Sequence, residues 1–202
     1  MKETISVSIL GPSLNRKFGG FACYAFVIRN KEGHLLHEAC GLAENPNSQS
    51  SPASSSVATY TALVRALEWL IHNGYKKDII IVKTASKSLI SQLDWTYQSP
   101  HTSGNKKEDS LPKSIVPLYV KASRLIPRFY KLSFELLDRK GNAGSGATSD
   151  MDYEAKEIEE LLVLAYVEAE EKIMKQGRIV SEQKSPFVTA AQLMNYRNTQ
   201  AS

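Results

Sequence analysis

The 202-residue chain has little of several features that define common protein classes. It contains only 2 cysteines, which excludes the disulfide framework of small secreted domains. No apolar run approaches the roughly 18 to 20 residues of a membrane span, and the chain does not open with the charged-then-apolar pattern of a signal peptide. We therefore expect a cytoplasmic protein that does not bind a membrane.

Common motifs for phosphate and metal binding are also missing. The glycine-rich segment 141–148 is not followed by the Lys-Ser/Thr pair of a Walker loop, and is interpreted as a linker. Segment 150–154 begins like a calcium loop, but the glycine and final glutamate of that loop do not follow. The 4 histidines show no ligand spacing that indicates a metal. The sequence therefore predicts neither a metal site nor a cofactor.

The remaining composition is that of a folded domain. Hydrophobic residues make up 42% of the chain and charged residues 23%, which is ordinary for a globular protein. The length allows one core of roughly 130 to 150 residues, since domains usually have about 100 to 200. We expect one domain over residues 1–176 and a polar tail or partner-binding arm over 177–202.

Charge is distributed unevenly around a net value of +4. Segment 71–131 has eleven basic and four acidic residues, whereas segment 132–175 has five basic and eleven acidic residues. Such a chain can present a basic face to nucleic-acid phosphates. Solvated helix faces of opposite sign explain the same pattern, so both interpretations stay open.

Hydrophobic periodicity predicts an α/β protein. Ile5, Val7 and Ile9 alternate with serines, which is typical of a half-buried strand, but Leu10 then occupies a position where a polar residue is due. Further predicted strands are 21–29, 34–41, 78–83 and 131–137, and predicted helices are 57–73, 86–93, 114–126 and 149–175. Segment 99–110 is interpreted as an exposed loop. This order fits a mixed sheet flanked by helices.

Four segments of the chain are similar to one known family. They are Phe21-Ala-Cys-Tyr-Ala-Phe-Val-Ile-Arg29, Gly41-Leu-Ala-Glu-Asn-Pro46, Ser54-Ser-Ser-Val-Ala-Thr-Tyr-Thr-Ala-Leu63 and Ile115-Val-Pro-Leu-Tyr119. With their spacing, they resemble type I ribonuclease H, especially its archaeal branch, over about residues 3 to 168. The resemblance implies a ribonuclease H-like five-stranded sheet, three antiparallel strands followed by two parallel ones, flanked by helices.

The family's metal ligands are mostly absent at the matching positions. In that family, four carboxylates hold two Mg²⁺ ions that activate water and stabilise the leaving oxygen of an RNA strand. The matching residues here are Leu10, Thr59, Ala85 and Glu159, with Asp152 or Glu154 as alternatives for the last. Leucine, threonine and alanine cannot supply the charged oxygen ligands that Mg²⁺ needs. We therefore expect a catalytically degenerate member, with Mg²⁺ relevant only if some nuclease activity remains.

Nucleic-acid binding is a function that can persist without those ligands. Family members hold an RNA/DNA hybrid through small polar residues before the first helix, where this chain has Ser54, Ser55 and Ser56. Serines can contact phosphate or a 2′-hydroxyl, although a serine run is also a common helix cap. Further phosphate contacts are expected from basic residues if these share a face: Lys87, Lys121, Arg124 and Arg128.

Three functions therefore stay open. The first is a non-catalytic binder of RNA/DNA hybrid or double-stranded RNA. The second is a protein-interaction or assembly module that meets its partner through the last helix or the tail 177–202. The third is a residual metal-dependent nuclease that cleaves RNA/DNA hybrids.

The two cysteines raise a separate question of strand register. If the second hairpin closes around residues 30–33, Cys23 lies directly opposite Cys40, near disulfide reach. A two-residue loop at 32–33 instead places Cys23 opposite Leu42. Because cytosolic disulfides are rare, we expect two buried reduced thiols.

Overall fold

The computed structural model describes residues 2–14, 21–47, 53–98, 111–137 and 149–175. The strands are β1 (Thr4–Leu10), β2 (Ser13–Leu14), β3 (Phe21–Arg29), β4 (Leu35–Ala43), β5 (Ile79–Thr84) and β6 (Lys131–Leu136). The helices are α1 (Ser55–His72), α2 (Lys87–Gln98), α3 (Val116–Leu125) and α4 (Ser149–Lys175), with 3₁₀ turns at Tyr75–Lys77 and Ile126–Arg128. The predicted segments 99–110, 141–148 and 177–202 lie outside the described residues.

The strands form one mixed sheet in the order β4-β3-β1-β5-β6. β3 runs antiparallel to both β1 and β4, whereas β5 is parallel to β1 and β6 is parallel to β5. The predicted arrangement of three antiparallel strands followed by two parallel ones is confirmed. Because β1, β5 and β6 are parallel, they all end at the same edge of the sheet.

The two-residue strand β2 follows β1 and pairs with the same strand, β3. Leu10 pairs with Ala25 and Ser13 pairs with Ala22, so the register against β3 does not change between them. The N–H of Cys23 donates to the carbonyl of Pro12 at 3.2 Å, although Pro12 itself has no N–H to return a bond. The sheet therefore has five main strands, the first of which is interrupted at Gly11 and Pro12.

Both faces of the sheet are covered. Ile5, Val7 and Ile9 point into the larger core, which α1 and α3 complete. On the other face, α4 packs across β4, β3 and β1. Ser8 is only 4% exposed on that second face, so the expectation of a half-buried first strand was wrong. The error arose because period-2 alternation reports the polarity of a face and not whether a distant helix covers it.

The hairpin between β3 and β4 settles the register of the two cysteines. Arg29 pairs with Leu35, and a bulge between Ile28 and Arg29 shifts the ladder so that Cys23 lies opposite Leu42. The register that faced Cys23 with Cys40 was therefore wrong. The two cysteines are not joined by a disulfide; Cys23 is buried as expected, whereas Cys40 is half-buried.

Within the described ranges, no helix combines the length and apolar character needed to cross a membrane.

Candidate functional site

Three of the four singled-out positions come together where β1 and β5 end. Ile9 pairs with Thr84, so Leu10 and Ala85 follow at the ends of neighbouring parallel strands. Gly11, which follows Leu10, packs directly on α1. A Cβ atom added to Gly11 would lie 2.1 Å from the backbone nitrogen of Thr59. Only glycine allows this approach, which brings the start of α1 against the end of β1.

The space around Leu10 is apolar. Leu10 is 3% exposed and belongs to the hydrophobic cluster under α4, together with Leu137, Ile158 and Leu162. Ala85 packs against the same cluster. A leucine buried in this way contributes about 1.5 to 3 kcal/mol to folding, so this edge now stabilises the fold through hydrophobic packing.

The polar side chains at this edge are used in local capping and helix bonds. Thr59 is 7% exposed, and its hydroxyl donates to the carbonyl of Ser55 at 2.8 Å. The hydroxyl of Thr84 accepts from the N–H of Ser86 at 3.2 Å. The Ser86 hydroxyl in turn accepts from the N–H of Leu89 at 3.2 Å, which caps the start of α2.

The fourth position does not complete a ligand set. Glu159 is exposed on α4, whereas its neighbours Ile158 and Leu162 turn toward the cluster that holds Leu10. Glu157, two residues earlier, forms an ion pair with Arg29, whose partner on β1 is Ser6. Glu159 therefore lies on the exposed side of α4 and not on the side that packs against Leu10. The side chains of the alternatives Asp152 and Glu154 lie outside the described residues.

The residues at this edge do not fit a pair of divalent ions. Mg²⁺ requires several hard oxygen ligands, and a leucine, an alanine and a threonine already bonded within its helix do not provide them. Across the described part of the chain, no three acidic, histidine or cysteine side chains are grouped so as to hold a metal. Glu68, the nearest downstream carboxylate on α1, instead pairs with Lys121 at 2.7 Å.

The hydroxyl of Tyr60 is also unsuited to acid-base chemistry. Burial raises the pKa of Tyr60 well above its usual range, and the nearby Tyr119 raises it further. Its hydroxyl donates to Oε1 of Gln92 at 2.9 Å, which ties α1 to α2. Tyr60 therefore stays neutral and acts as a structural contact beside Thr59.

The serine run lies at the same edge of the sheet as Leu10. Ser54 caps α1, because its hydroxyl accepts from the N–H of Val57 at 3.3 Å. Ser54 and Ser55 are exposed and Ser56 is half-buried. Lys87 is exposed at the first residue of α2, immediately after the end of β5. Four of the seven candidate binding residues thus flank the apolar edge.

The other three basic candidates lie elsewhere. Lys121 pairs with Glu68, which is about 20 Å along α1 from Ser54 at about 1.5 Å per residue. Arg124 is one helical turn farther along α3, and Arg128 closely precedes β6, which starts beside the start of β5. Arg124 and Arg128 are therefore at the opposite end of the sheet, and the predicted set does not share one face.

Two features were missed in the sequence. A run of rings connects Phe26, His37, Trp69 and Tyr75, in which the His37 and Trp69 centroids are 4.7 Å apart and nearly parallel. Tyr130 is 59% exposed and lies under the Lys2 ammonium group, 3.1 Å from the ring centroid. Basic residues on both sides of an aromatic one, as in Arg128-Phe-Tyr-Lys131, are the signal that could have indicated Tyr130.

The family model described as reverse transcriptase-like matches residues 17–148. None of the curated proteins is significantly similar in sequence.

Several solved structures are similar to the chain. LC11-RNase H1, isolated from compost by a metagenomic approach, is 21% identical over 78% of this chain and 91% of its own, with a TM-score of 0.52. LC9-RNase H1, described as a type 1 RNase H with the type 2 active-site motif, is 10% identical over 80% and 71%, with a TM-score of 0.51. RNase H1 from Halobacterium salinarum NRC-1, a halophilic archaeon, is 19% identical over 67% and 86%, with a TM-score of 0.47. LC11-RNase H1 has also been solved in complex with an RNA/DNA hybrid.

Proposed function

The chain belongs to the reverse transcriptase-like family, whose model matches most of its length, and from this premise we propose that it is a nucleic-acid-binding module without nuclease chemistry. Its ligand class is an RNA/DNA hybrid or double-stranded RNA. The fold is ribonuclease H-like. At the edge of the sheet where β1 and β5 end, non-acidic residues stand where the family resemblance implies metal ligands, and exposed polar groups surround them.

The observation that carries this proposal is the packing of Leu10. Leu10 is 3% exposed and belongs to the same hydrophobic cluster as Leu162, against which Ala85 packs, so apolar side chains surround the end of β1. Two-metal hydrolysis needs two cations about 3.5 to 4 Å apart and the carboxylates that hold them. The residues at this edge therefore do not provide the carboxylates that metal-dependent cleavage needs.

Binding is supported by what surrounds that packed edge. Ser54 and Ser55 are exposed at the N-terminus of the 18-residue helix α1, where the helix dipole favours anions. Lys87 adds a positive charge at the start of α2. Serine hydroxyls can bond to phosphate oxygens or to the 2′-hydroxyl that distinguishes RNA.

The test measures binding and cleavage of one substrate. A fluorescein-labelled 18-base-pair RNA/DNA hybrid is titrated with the full chain between 50 and 300 mM salt, with and without Mg²⁺ or Mn²⁺. We expect binding that weakens steeply with salt and no cleavage with either ion. Hybrid cleavage that depends on the metal would refute the loss of nuclease chemistry, and undetectable binding would refute the binding function.

Charge variants locate the interface. Ser55→Asp and Lys87→Glu should each weaken hybrid binding by about tenfold, because each places a negative charge where phosphate is expected. Lys113→Glu makes the same charge change at an exposed residue before α3 and serves as the control. Equal losses for Lys87→Glu and Lys113→Glu would contradict the position of the interface.

A protein-interaction role is the second candidate, favoured by the outer face of α4. Leu164 is 39% exposed among the exposed glutamates Glu160, Glu168 and Glu171. An exposed leucine in an acidic row suits a partner with a basic rim around an apolar pocket. Co-purification of one defined partner that is lost in Leu164→Asp, with hybrid binding absent, would favour this role over the first.

A further inference from the structure

A second concentration of charge lies where β1, β5 and β6 begin. Each of these parallel strands is preceded by basic residues: Lys2 before β1, Lys76 and Lys77 before β5, and Arg128 and Lys131 at β6. All five are exposed. Together with Tyr130 they form a surface that we call the basic end.

The members of the basic end are held together by direct contacts. The Lys2 ammonium group lies 3.1 Å from the centroid of the Tyr130 ring, a cation–π contact. The backbone N–H of Tyr130 donates to the carbonyl of Lys76 at 2.8 Å. Lys131 is the Cα partner of Ile79 at the first pair between β5 and β6. The ring of Tyr130 thus lies against the Lys2 ammonium group, and its backbone is bonded to the segment that carries Lys76 and Lys77.

The positive charge of this surface is only partly balanced. The three chain segments that carry these cations also contain two carboxylates, Glu3 and Asp78, and Oδ1 of Asp78 accepts from the backbone N–H of Glu3 at 3.0 Å. Within the described residues, no ion pair is seen for Lys76, Lys77, Arg128 or Lys131. Five cations therefore face two acids, which leaves an excess of positive charge for an external anion.

We propose that the basic end binds single-stranded nucleic acid, with Tyr130 as a stacking platform for a base. Adjacent strands are about 4.8 Å apart, so the cations of three strands span roughly 10 Å. Each nucleotide of a strand carries one negative phosphate, so a row of this length can contact a few successive phosphates of one strand. A basic row beside an exposed aromatic ring is the arrangement that binds single strands with little sequence preference.

The exposed apolar groups distinguish this ligand from an anionic membrane. Among the described residues, Tyr130 is the one strongly exposed large hydrophobic residue beside the starts of β1, β5 and β6. Leu35 is exposed at the same end of the sheet but two strands from β1, on β4, and Leu136 and Leu164 lie elsewhere. Interfacial membrane binding needs a broad apolar face in addition to basic charge. A single ring fits base stacking better than insertion into lipid.

The surface is separate from the edge that holds Leu10 and Ser55. β1 has seven residues, and its length of about 20 Å lies between the two regions. The inference therefore goes beyond the proposed hybrid interface and does not depend on it. A chain with both surfaces can hold a duplex at one end of the sheet and a single-stranded segment at the other.

The test uses the full chain and a fluorescein-labelled dT12 oligonucleotide. A triple variant, Lys76→Gln with Lys77→Gln and Arg128→Gln, should weaken dT12 binding at least tenfold and reduce the slope of log affinity against log salt by about 2. The control removes the same charge from exposed residues away from this end of the sheet, Arg65→Gln with Lys113→Gln and Lys121→Gln, and should change affinity less than threefold. Equal losses in the two triple variants would overturn the proposal.

A second pair of variants isolates the ring. Tyr130→Ala should weaken dT12 binding about tenfold, whereas Tyr130→Phe should retain it, because stacking needs the ring and not the hydroxyl. Tyr130→Ala binding equal to that of the unchanged protein would refute the stacking role. Binding to phosphatidylserine vesicles but not to dT12 would replace the proposed ligand by a membrane. The two proposals have separate probes. Loss of hybrid binding with dT12 binding kept would refute only the hybrid interface, and loss of dT12 binding with hybrid binding kept would refute only the basic end.

Discussion

Replacing Leu10 by aspartate introduces a carboxyl group into the apolar cluster under α4, where the leucine side chain is only 3% exposed. The matched control is Leu10→Asn, because asparagine has nearly the same shape and polarity as aspartate but no ionisable group. Both variants lose the burial of leucine, worth about 1.5 to 3 kcal/mol. Any pH-dependent difference between the two variants therefore reports the charge.

The sign of that difference follows from burial. An apolar site disfavours the charged form of aspartate, so it raises the pKa above the unfolded value of about 3.9, by up to about 3 units. The folded state then holds its proton more tightly than the unfolded state. The free energy of unfolding of Leu10→Asp therefore falls, relative to Leu10→Asn, as the pH rises above about 4. At about 1.36 kcal/mol per unit, the full loss is about 4 kcal/mol at neutral pH.

Urea unfolding followed by tryptophan fluorescence at pH 4.5 and pH 7.5 measures this difference. We expect the two variants to be within about 1 kcal/mol at the lower pH and clearly separated at the higher one, with no recovery of Leu10→Asp on adding Mg²⁺. Equal stability at pH 7.5 would refute the reasoning, because the carboxylate would then be hydrated or paired. Recovery that needs Mg²⁺ would show that a metal cage can form at this edge.

Three further outcomes follow from other contacts. Gly11→Ala should cost at least about 3 kcal/mol in urea unfolding, because the added Cβ would overlap the backbone of α1; a loss below about 1 kcal/mol would contradict that close approach. A double-mutant cycle with Arg29→Met and Glu157→Gln should give about 1 to 2 kcal/mol of coupling, since both side chains are largely shielded from water, and zero coupling would show that the pair does not hold α4. Burial raises the pKa of the Cys40 thiol and Glu168 raises it further, so its reaction with Ellman's reagent at pH 7.5 should be slower than that of free cysteine. Glu168→Gln should accelerate that reaction, and an unchanged rate would remove the carboxylate as a cause.

Local patterns were sufficient to predict much of the architecture. The helix now called α1 was placed within two residues of its observed bounds, because its leucines recur at helical spacing and a serine precedes it. β5 was recognised from a continuous apolar run. These features depend on residues close together in sequence, which is the range over which periodicity and capping act.

Local sequence patterns predicted the candidate site only in part. Leu10, Thr59 and Ala85 were selected through a family resemblance, and the structure brings them to one edge through Gly11 and the register of β1 with β5. The division of the basic residues between two ends of the sheet had no local signal. Tyr130 gained its importance from Lys2, which is 128 residues away in the sequence.

The sequence by itself determined the α/β order, the type of each main element and the non-acidic side chains of Leu10, Thr59 and Ala85. The tertiary structure alone decided that α4 covers the serine face of β1, that Cys23 lies opposite Leu42, and that positive charge collects where the parallel strands begin. The physical reason is the same in each case. The spacing of apolar residues and the capping residues determine the local backbone conformation. Burial, strand register and electrostatic potential depend instead on which distant segments of the chain come into contact.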